Sequence, residues 1–352
     1  MNEADDLLPC RQQAELMAAL AALESADAAP ALAGRLRAFL FAMAGRGFGG
    51  QAMTRLVSLF NDRLTERLIA LTAHRHRLPP VDWCWLAMGS EGRHEQTFVT
   101  DQDNGLVFAA ADKREADALR QLFLPFAQEV NQRLADCGFK LCSGQIMAGN
   151  PSWCLSYDEW RECFIDWVRR PEPTALLNAT IFFDLRPLCG QLDLGERLRS
   201  LILALTTDTP AFQHLMVANA LQAMVPLNFR GAVAADGEGG LDLKKSGSRI
   251  FVDAARIFAL ATGVRAVNTS ERLREAGKLA GMTPAEIAAA DAAFGHVLRL
   301  RLDQQLADRA GDEIVDHGFR PSSLHEVDTA ILLESLRQAR RVQQRLKLNY
   351  AL

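Results

Sequence analysis

Short apolar runs of strand length lie in the middle of the sequence, between two long stretches of helical periodicity. This placement limits the possible folds more than any other feature of the sequence. The run 81–88 contains two Trp and is bounded by Pro79–Pro80 and Gly89–Ser90, which predicts a buried strand. Similar runs predict three further strands, at 99–108, 139–142 and 179–185. Helical spacing at 116–137 and 157–169 separates them, so we predict an α+β fold with a small mixed sheet.

The flanking sequence predicts helices on both sides of this sheet. On the N-terminal side, Leu36, Phe39, Leu40 and Met43 recur on one helical face, and the glycines within 45–50 end that helix. On the C-terminal side, helical patterns occur at 192–206, 211–225, 248–262, 269–279, 284–308 and 325–347.

A chain of 352 residues is too long for one compact core, so these patterns predict separate regions. We expect an N-terminal helical region over 1–78, a catalytic domain over 79–190 and a C-terminal helical domain over 191–352. In the C-terminal domain, the glycine-rich segment 231–240 predicts a loop.

Composition excludes several classes of function. With 39 Lys and Arg against 43 Asp and Glu, the net charge is −4, which argues against non-specific binding to nucleic acid. No apolar run reaches the ~20 residues that span a bilayer, and the acidic start does not resemble a signal peptide. The seven cysteines form no CxxC pair, which argues against structural zinc. We therefore expect a cytoplasmic protein without a membrane or nucleic-acid partner.

Two carboxylates, Asp101 and Asp103, lie two positions apart in the second predicted strand. Residues i and i+2 of a strand face the same side, so both side chains would point to one place. Like charges held this close require a compensating cation, and hard divalent cations prefer such oxygen ligands. An Asp-x-Asp pair alone more often belongs to a solvated loop.

The turn at Gly89–Ser90 follows the first predicted strand and supplies a second chemical element. Glycine lets the backbone approach a phosphate, the Ser90 hydroxyl can donate to a phosphate oxygen, and a helix starting here would favour an anion. Arg93 lies one turn further and could bind phosphate with its planar guanidinium. We expect Glu95 to orient Arg93 or to cap local backbone, and His94 to be a solvent-exposed helix residue rather than a catalytic base. A phosphate-binding turn and a carboxylate pair within fifteen residues suit nucleotidyl transfer.

Lys244 follows the glycine-rich loop and could complete the phosphate site together with Arg256. A solvated helix start explains Lys244 equally well.

The segment Gly89–Asn104 resembles the active-site signature of the DNA polymerase beta-type nucleotidyltransferase superfamily. The branch that includes PII uridylyltransferases and glutamine synthetase adenylyltransferases is the most similar. More narrowly, the chain is similar to nucleotidyltransferases often attached to CBS or cyclic-nucleotide-binding domains. The similarity covers roughly residues 30–350, through the segments 147–151, 181–186, 242–244, 253–256 and 268–273.

This resemblance implies specific roles. Gly89 and Ser90 would bind a nucleoside triphosphate, ATP or UTP, while Asp101 and Asp103 would bind Mg²⁺ or Mn²⁺. The superfamily carries a third acid on a later strand, and Asp184 is the only acid within the apolar run 179–185. A buried carboxylate is costly unless it is paired or bound to metal. Asp184 could therefore be a third metal ligand that helps deprotonate the acceptor, or a core acid paired with Arg186.

The branch favours transfer to a hydroxyl of a regulatory protein, which would make the chain a signalling enzyme. Two other functions remain open: a non-catalytic nucleotide-sensing or interaction module, and a transferase that acts on a small molecule.

Overall fold

The computed structural model describes residues 3–310, 313–314 and 318–352. The helices are α1 (Glu3–Ala21), α2 (Ala29–Ala44), α3 (Gly50–His76), α4 (Gly89–Gly92), α5 (Lys113–Asp136), α6 (Tyr157–Arg169), α7 (Pro173–Phe182), α8 (Leu192–Thr207), α9 (Pro210–Ala220), α10 (Arg249–Thr262), α11 (Thr269–Leu279), α12 (Pro284–Ala307) and α13 (Glu326–Tyr350). The strands are β1 (Trp83–Ala87), β2 (Asn104–Phe108), β3 (Cys154–Ser156), β4 (Arg186–Gly190), β5 (Arg309–Ala310) and β6 (Glu313–Ile314).

Strands β1 to β4 form one small mixed sheet in the order β3-β2-β1-β4. The central strand β1 pairs antiparallel with both β2 and β4, whereas β2 pairs parallel with β3. In the β1–β2 pair, Ala87 is opposite Asn104, so the end of β1 meets the start of β2. The predicted α+β fold with a small mixed sheet is therefore confirmed, and the two predicted motifs flank the same sheet edge.

Two predicted strands are wrong. Segment 179–185 belongs mostly to helix α7, in which Ala179 and Phe182 are fully buried. Periodicity alone cannot assign such a short apolar run to a helix or a strand, and this helix also exposes an apolar side chain, Leu177 (58% exposed). Segment 139–142 contributes only an isolated bridge from Lys140 to Asp101, and the three-residue strand β3 pairs with β2 instead.

The helix predictions agree well with the structure. Leu36, Phe39, Leu40 and Met43 are all buried on α2, and α11 has the predicted bounds. In α5, Leu122 is 56% exposed, whereas Leu119, Phe126, Val130 and Leu134 are buried.

The described residues divide into two compact units. The first contains 1–48, 52–162 and 185–198, and therefore holds the four-stranded sheet together with the N-terminal helices. The second contains 49–51, 163–184 and 199–352. Its described residues form mainly helices, with the short β5–β6 pair and a non-helical stretch at 221–243. Among the described residues, no helix combines the length and apolarity needed to cross a bilayer.

Candidate active site

The turn after β1 is the first part of the candidate site. Gly89 has φ +53, a left-handed conformation that a residue with a side chain adopts only at a cost. The short helix α4 begins at Gly89, and the N–H groups at the start of a helix have no acceptor within it. The Met88 N–H donates to the Asp103 carbonyl oxygen (2.9 Å), which fixes this turn against the second motif.

Side-chain exposure alternates along the segment from Asp101 to Asn104. Gln102 and Asn104 are buried, and both hydrogen-bond Asn131 of α5, whereas Asp101 and Asp103 are only partly buried. Because successive side chains of an extended segment point to opposite faces, the two acids lie on the face away from Asn131. This alternation agrees with the expectation that Asp101 and Asp103 share one face, although both acids precede β2, which begins at Asn104 and not at residue 99 as predicted.

The Asp103 carboxylate lies directly against the turn. A Cβ atom on Gly89 would come within 2.6 Å of Asp103 Oδ2, so the absence of a side chain makes room for this carboxylate. The Cys142 thiol hydrogen-bonds Asp103. Burial raises the pKa of this thiol, and the negative charge of Asp103 raises the pKa further. A neutral S–H group is therefore available as a donor to the Asp103 carboxylate.

Arg186 of β4 holds the turn in place. Its Nη2 atom donates to both carboxylate oxygens of Asp62 on α3 (2.8 and 2.9 Å) and to the Glu91 carbonyl oxygen (3.2 Å). Its Nε atom donates to the Gly92 carbonyl oxygen (3.3 Å). One guanidinium thus connects α3, β4 and the backbone of α4.

The side chain of Glu91 points away from water, since the residue is only 6% exposed. Burial raises its pKa well above the usual value, and the negative charge of Asp62 raises it further, against the opposing effect of Arg186. Glu91 therefore tends to keep its proton, which limits the negative charge beside Asp103.

Arg93 and Glu95 form an ion pair beside the turn. Arg93 Nε donates to Glu95 Oε2 at 2.8 Å, and both side chains are largely buried. This contact confirms that Glu95 orients Arg93. His94 follows α4 in a turn with φ +56, so the prediction that it is a helix residue is wrong. Its Nδ1 atom lies 3.5 Å from Asp62 Oδ2.

Asp184 lies in the second unit, directly after helix α7 rather than within a strand. It is fully buried, and both of its oxygens are bound by guanidinium groups. Arg256 donates to Oδ1 (3.0 Å) and Oδ2 (2.6 Å), and Arg272 donates to Oδ1 (2.5 Å). A core acid paired with arginine was the alternative prediction, but the expected partner Arg186 binds Asp62 instead. A metal-binding role for Asp184 stays a prediction.

Arg256 also belongs to this buried ion-pair cluster. Burial by itself would lower its pKa, but the carboxylates of Asp184 and Asp253 raise it above the usual range, so the guanidinium stays charged. Lys244 is exposed at the start of the π-helical turn Lys244–Ser248. Its predicted contact with phosphate stays a prediction.

The sequence interpretation missed several residues that shape the site. Nothing in the local pattern indicated that Asn131, Cys142 or Arg186 would contact the motifs, because each reaches them from another element. The buried positions of Gln102 and Asn104 could have been inferred, since a strand that presents two acids on one face presents its alternate residues on the other.

The arrangement places two carboxylates beside a tight glycine-serine turn in one unit. In the part of the chain that is described, no three or more His, Cys, Asp and Glu side chains are grouped in a way that could hold a metal ion. Joint binding of a metal by Asp101, Asp103 and Asp184 stays a prediction.

Comparison with known families agrees with this site. A family model described as putative nucleotidyltransferase DUF294 matches residues 34–174, which contain the turn and both acids. A second, described as putative nucleotidyltransferase substrate binding domain, matches residues 210–350. No curated protein matches the sequence. Since the two family models together cover most of the chain and the first contains the whole motif, the chain belongs to the DUF294 nucleotidyltransferase family.

Proposed function

We propose that the protein transfers a nucleoside monophosphate from ATP or UTP to an acceptor hydroxyl, with release of pyrophosphate. One observation carries this proposal: the Asp103 carboxylate lies against the Gly89 turn, in a segment whose alternate residues Gln102 and Asn104 are buried against Asn131. Family membership supports the same class of reaction.

The donor chemistry of this site fits a divalent cation. Asp101 and Asp103 offer carboxylate oxygens, which Mg²⁺ and Mn²⁺ prefer, and two carboxylates on one face repel each other without a cation. Because Gly89 has no side chain, the Asp103 carboxylate can lie directly against the turn. When bound, the cation would neutralise charge on the triphosphate and help to orient it.

The residues of the turn would contribute to binding and orientation. The Gly89 backbone permits close approach of a phosphate, and the Ser90 hydroxyl can donate a hydrogen bond to a phosphate oxygen. Arg93, oriented by Glu95, can place a positive charge beside the triphosphate. We also propose that Lys244 contributes to phosphate binding and that Asp184 contributes to binding of the cation.

For the acceptor, we propose a hydroxyl of a protein, such as a Tyr, Ser or Thr side chain. The family description of 210–350 as a substrate binding domain supports placing acceptor recognition in this helical part. That segment is long enough to recognise a macromolecule, as the resemblance to protein-modifying transferases also suggests.

The test incubates the full chain with Mg²⁺ or Mn²⁺, each α-labelled nucleoside triphosphate in turn, and a lysate that supplies acceptors. We expect transfer of label from one preferred nucleotide, and loss of transfer in the double variant Asp101→Ala/Asp103→Ala. A matched variant, Asp158→Ala/Asp166→Ala, removes two exposed acids of α6 and should transfer label normally. Equal labelling by all three proteins would refute the proposed activity.

A further inference from the structure

Asn131 of α5 is a buried amide that uses its hydrogen-bonding groups on three partners. The residue is 4% exposed. Its Nδ2 atom donates to Gln102 Oε1 (2.9 Å) and to Asn104 Oδ1 (3.0 Å). Its Oδ1 atom accepts from the Gly149 N–H (2.8 Å). Both amide hydrogens and the amide oxygen of this side chain are therefore occupied.

The backbone of Asn131 extends the same network, because its carbonyl oxygen accepts a hydrogen bond from Gln102 Nε2 (2.9 Å). Gln102 is thus bound by Asn131 at both ends of its own amide. Asn104 also accepts from the Ala148 N–H (2.8 Å), which ties the loop before β3 to the same group.

These two bound residues lie on either side of Asp103 in the sequence. Because side chains alternate along an extended segment, fixing Gln102 and Asn104 on one face also fixes the direction of Asp101 and Asp103 on the other. Asn131 acts on the two acids through the backbone that carries both, since its contacts are with their sequence neighbours.

From this geometry we infer that Asn131 is a positioning residue that sets the affinity of the Asp101–Asp103 pair for a divalent cation. The inference rests on the proposed function, because it assigns a role toward the cation of that site. Partners that orient metal ligands from behind commonly change metal affinity or activity by 10–100-fold when they are replaced.

Two substitutions separate the role of hydrogen bonding from that of packing. Asn131→Asp keeps the shape but replaces the Nδ2 donor with an oxygen that faces two acceptor atoms, Gln102 Oε1 and Asn104 Oδ1. Asn131→Ser also removes the amide, but leaves space in which a water molecule could hydrogen-bond the buried partners. The control Gln128→Leu lies on the same helix and loses a bond to the carbonyl oxygen of Gly149, the third partner of Asn131, but keeps the bonds of Asn131 to Gln102 and Asn104.

The experiment measures Mn²⁺ binding to the full chain by electron paramagnetic resonance, without nucleotide, in samples whose circular dichroism shows a folded protein. We expect the dissociation constant to rise about 10–100-fold in Asn131→Asp and in Asn131→Ser, and to stay unchanged in Gln128→Leu. Either Asn131 variant alone suffices if the other does not fold.

Folded Asn131 variants that bind Mn²⁺ as tightly as the natural protein would overturn this inference and leave the proposed function intact. A natural protein that binds no Mn²⁺, with or without a triphosphate, would instead overturn the proposed function and this inference with it.

Discussion

Substitution of Gly89 by alanine tests whether the turn and Asp103 form one site. The added Cβ would lie 2.6 Å from Asp103 Oδ2, about 0.8 Å short of the 3.4 Å at which ordinary contacts begin. At φ +53, alanine would also cost about 1–2 kcal/mol in the native state. Either the carboxylate or the turn must therefore move by several tenths of an ångström. A displacement near 1 Å at a reacting centre can cost on the order of 100-fold in rate.

We therefore expect Gly89→Ala to lower the free energy of unfolding by about 1–2 kcal/mol and nucleotidyl transfer on the order of 100-fold. Urea unfolding and transfer of α-labelled nucleotide measure the two effects. Gly47→Ala is the matched control, because Gly47 has φ +85 and an added Cβ there would meet no other part of the chain within 4 Å. It should lose similar stability and no activity. Wild-type transfer by folded Gly89→Ala would refute the close packing of Gly89 and Asp103 as a functional feature.

Two further substitutions test the buried charges. Because burial raises the pKa of Glu91 above its usual 4.5, the native state holds a proton that the unfolded chain releases above that pH. The free energy of unfolding should therefore fall as the pH rises from about 4.5 to the native pKa. Urea unfolding at several pH values measures this fall, and Glu91→Gln should remove the part that Glu91 contributes. An unchanged dependence of the unfolding free energy on pH in Glu91→Gln would contradict a raised pKa. Asp184→Asn removes the buried carboxylate that binds both Arg256 and Arg272, although Arg256 keeps its ion pair with Asp253, so we expect a loss of about 3–5 kcal/mol, measured by thermal unfolding. Asp166→Asn, an exposed control on α6, should change stability by less than about 0.5 kcal/mol, and an equal effect of both would show that the buried ion pairs are not needed.

The prediction of local structure succeeded where one stretch of sequence contained the whole signal. Helical spacing predicted the buried stripe of α2 and the bounds of α11. In the structure, Asn268 caps α11, because its side chain accepts a hydrogen bond from the Glu271 N–H. The prediction failed at 179–185, because periodicity alone cannot assign so short an apolar run to a helix or a strand, and at β3, because three residues are too few to show alternation.

The sequence by itself determined the chemistry that is available: a glycine-serine turn after a buried strand and two acids at a spacing of two. Because side chains alternate along an extended segment, this spacing predicts that both acids lie on one face. Tertiary structure alone decided that Asn131 from α5 binds the neighbours of Asp103, that Arg186 from β4 binds the turn, and that Arg256 binds Asp184. The physical reason is range: backbone geometry relates residues a few positions apart, whereas the partner of a buried polar group is fixed only when distant segments pack together and exclude water.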